Sequence, residues 1–157
     1  MRIYLGADHG GFKLKEELKY HLLMHFPDLE VEDCGAFSYQ AEDDYPQFAF
    51  EVASKTVAEL GARREALGVL LCRSGSGVVI AANKVRGARA VELYHDQVAI
   101  HAKSHNQANV IAFAGDYLSL SEMTRLLEIF MKTGTDDHPR HQRRLQQISS
   151  FEQENNK

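Results

Sequence analysis

The chain has 157 residues, 44% of them apolar and 25% charged, with a formal net charge of −4. That length allows one domain, residues 1–157, with a full core and leaves no room for two ordinary ones. The acidic balance argues against a general nucleic-acid binder, since Arg140, Arg143 and Arg144 are too few and too local to reverse it, and no run approaches the ~18 apolar residues of a membrane span.

Met1 to Ala7 lacks the charged flank and cleavage site of a secretory signal. Two cysteines, Cys34 and Cys72, make neither a disulfide framework nor a metal knuckle. Both are expected to be reduced thiols in a cytoplasmic protein.

Arg2 to Ala7 is a strand-like apolar run ending at the Gly10-Gly11 turn. From Phe12 to Phe26, Leu14, Leu18 and Leu22 recur every fourth position among lysines and glutamates, which predicts an amphipathic helix. Leu29 to Cys34 reads as a second strand, and Gly35 to Pro46 as an irregular polar segment ending in Asp43-Asp44-Tyr45-Pro46. Proline suits a first helical turn, so a helix should run from about Pro46 to Leu60.

Leu67 to Cys72 is continuously apolar, as in a strand covered on both faces. Arg73 to Gly77 should be a loop and Val78 to Lys84 a short helix. Ala88 to Leu93 and Asn109 to Ala114 complete five strands, with a helix from Asp96 to Ser104 between them. Ser119 to Lys132 forms another helix, capped by Ser119 or Ser121. Arg140 to Phe151 reads as a charged terminal helix, with Glu152 to Lys157 fraying. Repeated βα units with right-handed crossovers predict a parallel sheet covered on both faces, with ligands beyond the strands' C-terminal ends.

Four places there or nearby carry chemistry. In Cys72-Arg73-Ser74-Gly75-Ser76-Gly77, two glycines let the backbone curl so that several N–H groups face one point. Such a nest binds an anion, either a phosphate or the oxyanion of an enolate. Cys72 beside it is either a small buried apolar residue or a thiolate base whose pKa the nest should lower. Asp8 and His9 follow the first strand and suit sugar hydroxyls or an anionic group; Asp8 is equally a cap for the next helix.

His105-Asn106 lies before the fifth strand, where an imidazole could serve as general acid or simply favour a helix C-terminus. Arg140 and Arg144, four apart, share a helix face as a phosphate clamp or a solvated basic surface. Tyr45 could line the pocket or pack. The remaining histidines, His141 included, read as surface residues. There is no CxxC or HExxH pair for zinc and no Walker loop. A dinucleotide fingerprint would need a glycine where Ile80 stands.

Together, GADHGGF (Gly6 to Phe12), DYP (Asp44 to Pro46), CRSGSGVVIAANK (Cys72 to Lys84), HNQANV (His105 to Val110) and RHQRR (Arg140 to Arg144) resemble the type B ribose-5-phosphate isomerases and their allose- and galactose-6-phosphate isomerase relatives. The resemblance implies a three-layer α/β/α fold, with a five-stranded parallel doubly wound sheet of order 2-1-3-5-4 and a C-terminal helical extension, residues 139–157, reaching a partner subunit. It implies a homodimer or dimer of dimers with no cofactor and no metal.

The activity implied is aldose–ketose isomerisation of a sugar phosphate through a cis-enediolate, ribose 5-phosphate to ribulose 5-phosphate first, a hexose 6-phosphate second. A non-catalytic sugar-phosphate-binding homologue and a nucleotide-binding module are the rival classes. By the same resemblance Cys72 is the base, because Val78 occupies the position where another subgroup carries a glutamate. His105 opens the ring with Asp8 as partner, and Ser74 to Gly77 hold the enediolate. His9, Arg140 and Arg144 bind phosphate, and Tyr45 and Asn106 contact the sugar. The chain departs from the family pattern at Arg73 and Val79, where glycines are usual, and at Asp116, where many members carry a phosphate-binding arginine; Arg73 is the candidate replacement charge.

Overall fold

The computed structural model describes residues 1–154. Strands β1 (Arg2–Ala7), β2 (Glu30–Asp33), β3 (Ala66–Cys72), β4 (Ala90–Glu92) and β5 (Val110–Ala114) form one parallel sheet in the order β2-β1-β3-β5-β4. Between and after them run α1 (Phe12–His25), α2 (Tyr45–Gly61), α3 (Ser76–Ala82), α4 (Asp96–Ser104), α5 (Leu120–Lys132) and α6 (Pro139–Glu154). This is the expected three-layer, doubly wound α/β/α fold with a C-terminal helix.

The strands alternate between two cores. Ile3, Leu5, Leu67, Val69, Leu71, Ile111 and Phe113 pack under α1, α4 and α5. Tyr4, Leu70, Cys72, Val110 and Ala112 face α2 and α3. Both faces are covered, so the central strands read as unbroken apolar runs.

In α5, Met123, Leu126, Leu127 and Phe130 are buried at helical spacing, each contributing about 1.5–3 kcal/mol of apolar burial. Ser119 is the cap: its hydroxyl accepts from the Glu122 amide while the Glu122 carboxylate accepts from the Ser119 amide.

Helix α1 buries Leu18 and Leu22 as its periodicity predicts, and also Lys15. The Lys15 ammonium donates to both oxygens of Asp33, at 2.8 and 2.7 Å, and to Glu16 at 2.6 Å. A buried charge persists only when paired in this way.

Some boundaries differ from the expected ones. Helix α3 starts at Ser76 rather than Val78, because the second half of the glycine loop already turns helically. Strand β4 is three residues long, shorter than the apolar run Ala88 to Leu93. Helix α6 begins at Pro139, suited to a first turn, and extends through Glu154; the rest of the expected frayed end lies outside the described residues. Among the described residues no helix is long and apolar enough to cross a membrane.

Candidate active site

The β1–β3 register pairs Ala7 with Leu71, and the β3–β5 register pairs Cys72 with Ala114. Asp8, Cys72 and Gly115 therefore stand side by side at the C-terminal edge of the sheet. The loop after β5 is tied to this edge: the Gly115 amide donates to the Cys72 carbonyl at 2.8 Å, and the Asp116 amide to the Arg73 carbonyl at 3.0 Å.

Cys72 is 5% exposed. Its sulfur is turned toward the glycine loop and accepts the Gly75 amide hydrogen at 3.1 Å, with the amides of Val78 and Ser74 also directed at it. Gly75 has φ of +76°, and a Cβ there would stand 2.6 Å from Glu92 Cδ, so glycine alone fits. The Tyr45 ring lies on Gly77, where a Cβ would come within 2.8 Å of Tyr45 Cζ. Ser76 Oγ reaches Glu92 at 3.4 Å.

The expected lowering of the Cys72 pKa is not what this arrangement produces. Burial pushes the thiol up; the amides of Gly75, Val78 and Ser74 pull it down but do not win, and the Asp8 charge adds to the rise. Asp8 is itself raised by burial, partly offset by the Gly11 amide, which it accepts at 3.1 Å. That bond braces the Gly10-Gly11 turn. Gly11 is the N-cap residue of α1, so the same bond ties Asp8 to the start of that helix.

His9 pairs with Asp43, and Arg73 Nε donates to Asp116 at 3.0 Å. Two of the three departures from the family pattern thus neutralise one another: the carboxylate at 116 is occupied by the guanidinium at 73, whose stem lies on Gly10.

The other predicted residues lie elsewhere in the chain. His105 caps the C-terminus of α4, and the Asn106 carbonyl accepts from Arg89 Nε at 3.1 Å, just ahead of β4. This is the N-terminal edge of the sheet, opposite Cys72. His105 stacks between His101, at 4.4 Å, and His141, at 4.1 Å. Arg140 Nε donates to His141 Nε2 at 3.1 Å.

Arg144 and Asn106 line a groove of about 730 Å³ between β4 and α6, with Arg89, Leu145, Ile148 and Phe151. His141, read from sequence as a surface residue, is buried because α6 folds it against His105; burial and the neighbouring His105 and Arg140 hold it below its ordinary pKa. Within one chain, Asp8, His9, Tyr45 and Cys72 to Gly77 come together, and His105, Asn106, Arg140 and Arg144 form a second cluster that does not meet them.

His105, Asp136 and His141 present ligand atoms within 4.8 Å of one another. The two imidazole planes are within 8° of parallel and His141 Nε2 already accepts from Arg140, so their in-plane lone pairs do not converge on one ion. The sequence reading missed Asp43, Asp136 and Glu92. Only Asp43 left a signal, as the first acid of the run before Tyr45.

The profile of the family described as Ribose/Galactose Isomerase matches residues 3–148. The chain belongs to the ribose/galactose isomerase family. It is 42% identical over 154 residues to the ribose-5-phosphate isomerase B of Mycolicibacterium paratuberculosis, covering 97% of this chain and 92% of that one. It is 36% identical over 155 residues to the ribose-5-phosphate isomerase B of Escherichia coli, covering 99% of each. The crystal structure of ribose-5-phosphate isomerase B from Mycoplasma genitalium with bound ribulose-5-phosphate superposes with a TM-score of 0.88, at 35% identity over 98% of this chain and 97% of that one. In this member of the ribose/galactose isomerase family, the nest after β3 begins with a cysteine and Val78 follows it.

Proposed function

We propose that this chain interconverts ribose 5-phosphate and ribulose 5-phosphate by proton transfer between C2 and C1, with Cys72 as the base. The observation that carries the reading is the Cys72 sulfur, set against main-chain amides and beside Asp8 at the end of β3. The same reaction is carried in the names of the relatives in M. paratuberculosis and E. coli.

His105 promotes ring opening, with Asp8 as its partner across the substrate. The Cys72 thiolate then takes the proton from C2, and the electrons form the C1–C2 double bond of a cis-enediolate. The amides of Ser74 to Gly77 hold its oxygens, where preorganised donors act strongly. The hydroxyl proton moves from O2 to O1, the thiol returns its proton to C1, and the ketose leaves with the base restored. His9, Arg140 and Arg144 bind the phosphate; Arg73, its charge offset by Asp116, reaches it only through the guanidinium N–H groups that Asp116 leaves; Tyr45 and Asn106 contact the sugar. No step calls for a cofactor.

Because the two clusters lie at opposite sheet edges, a complete site needs a second copy of the chain, whose α4–β5 turn brings His105 and Asn106, and whose α6 brings Arg140 and Arg144, to the first copy's Cys72. The chain is thus read as a single domain that works as a homodimer or a pair of them.

The experiment is turnover in deuterated water over pentose and hexose phosphates. Ribose 5-phosphate should gain solvent deuterium at C2 with wild-type protein and not with Cys72→Ala, folding unchanged. Exchange at the wild-type rate in Cys72→Ala would remove Cys72 from the mechanism, and turnover of hexose phosphates alone would move the substrate to that class.

A further inference from the structure

His9 is held by a residue that no motif marks. Its backbone amide donates to Asp43 Oδ1 at 2.8 Å, and its ring Nδ1 meets the same oxygen at 2.7 Å. Asp43 lies 34 positions away, in the segment between β2 and α2. Its side chain is 7% exposed. Its other oxygen, Oδ2, is buried without a hydrogen-bond partner among the described residues. A carboxylate buried at that cost, with its one paired oxygen given wholly to His9, serves the histidine rather than its own loop.

We propose that Asp43 is a positioning residue of the isomerase, which fixes the direction of the His9 ring and holds it as an imidazolium, so that Nε2 carries an N–H to the substrate's phosphate. The inference rests on the sugar-phosphate reading of the site and adds a residue that does not touch substrate. With Nδ1 engaged by Asp43, Nε2 is the ring nitrogen left for a ligand. A neutral His9 with its proton on Nδ1 would offer phosphate a lone pair; only the imidazolium has N–H at both positions.

Every group around His9 bears on that charge. The Asp43 hydrogen bond raises its pKa, burial works against this, and Asp8 adds to the rise. Tyr39 meets the ring edge-on at 6.4 Å. Arg73, over Gly10, is paired with Asp116. His9 therefore stays protonated to a higher pH than a free histidine. Phosphate binding should weaken only as pH climbs through that raised value.

The test pairs ring-nitrogen NMR of His9 with steady-state kinetics on ribose 5-phosphate. Asp43→Asn should move the His9 titration to lower pH. It should raise KM roughly tenfold or more, as for a lost hydrogen bond to a charged group, with kcat little changed and the rise in KM beginning at lower pH. In a His9→Ala background the same change should add nothing to KM. His9→Gln reports independently of how well Asp43→Asn folds, and should raise KM and remove its alkaline-side pH dependence.

Wild-type turnover with an unmoved His9 titration in Asp43→Asn overturns the inference alone. So does an equal KM penalty for Asp43→Asn with His9 already gone, or a wild-type KM in His9→Gln. No turnover by the wild type, with the titration still moved, overturns the reading of the site and leaves the Asp43–His9 link standing.

Discussion

In the proposed mechanism Cys72 is a base held in reserve. Burial keeps its thiol above the ordinary range despite the Gly75, Val78 and Ser74 amides, so the reactive thiolate is scarce at neutral pH and grows as pH rises. Turnover per site should climb from neutral into alkaline pH at saturating substrate; a flat profile there would contradict Cys72 as the base. The Cys72 position and its nest were legible in the sequence, because a buried strand running into two glycines has few other readings. The direction of the pKa shift was not. It depends on how tightly α2 and α3 close over the sulfur, and one sequence does not weigh burial against amides. Asp43 left only the acid run before Tyr45; its role was illegible because its partner, His9, is 34 positions away in the chain.

Helix α5 and the strands were legible because their periodicity is their packing. Phe130→Ala should cost about 3–5 kcal/mol of stability, as for a large side chain lost from a closed core, measured by urea unfolding; a cost near zero would mean α5 is not packed as described. The limits of pattern reading appear in α1. Leu14, Leu18 and Leu22 marked its apolar stripe, yet the most buried long side chain there is Lys15, which Asp33 and Glu16 neutralise from β2 and from α1 itself. No periodicity records that pairing. The start of α3 inside the glycine loop was likewise hidden, since Ser76 and Gly77 favour turns and helix first turns alike.

On the scale of the whole molecule, the chain carries two clusters of candidate residues on opposite edges of one sheet, which the proposed function reads as two half-sites. One holds the nest, Cys72, Asp8 and His9. The other holds His105 stacked on His141, with Arg140 and Arg144 on a terminal helix that buries only His141 among its described residues. The sequence showed both sets of residues, and in a parallel sheet His105, just ahead of β5, belongs at the N-terminal edge; it did not show that α6 lays His141 on His105, because that contact joins segments 36 positions apart. On the proposed reading, Arg140 and Arg144 of α6, with His105 stacked on His141, act on the base of a second copy.

The most direct measurement is subunit mixing. Cys72→Ala and His105→Ala should each be nearly inactive alone. After unfolding and refolding together, half of the dimers formed at random carry one intact site of two, so activity should return to about a quarter of the wild-type level. Mixed dimers that form, as shown by mass spectrometry, yet stay as inactive as either parent would contradict a site built from both chains.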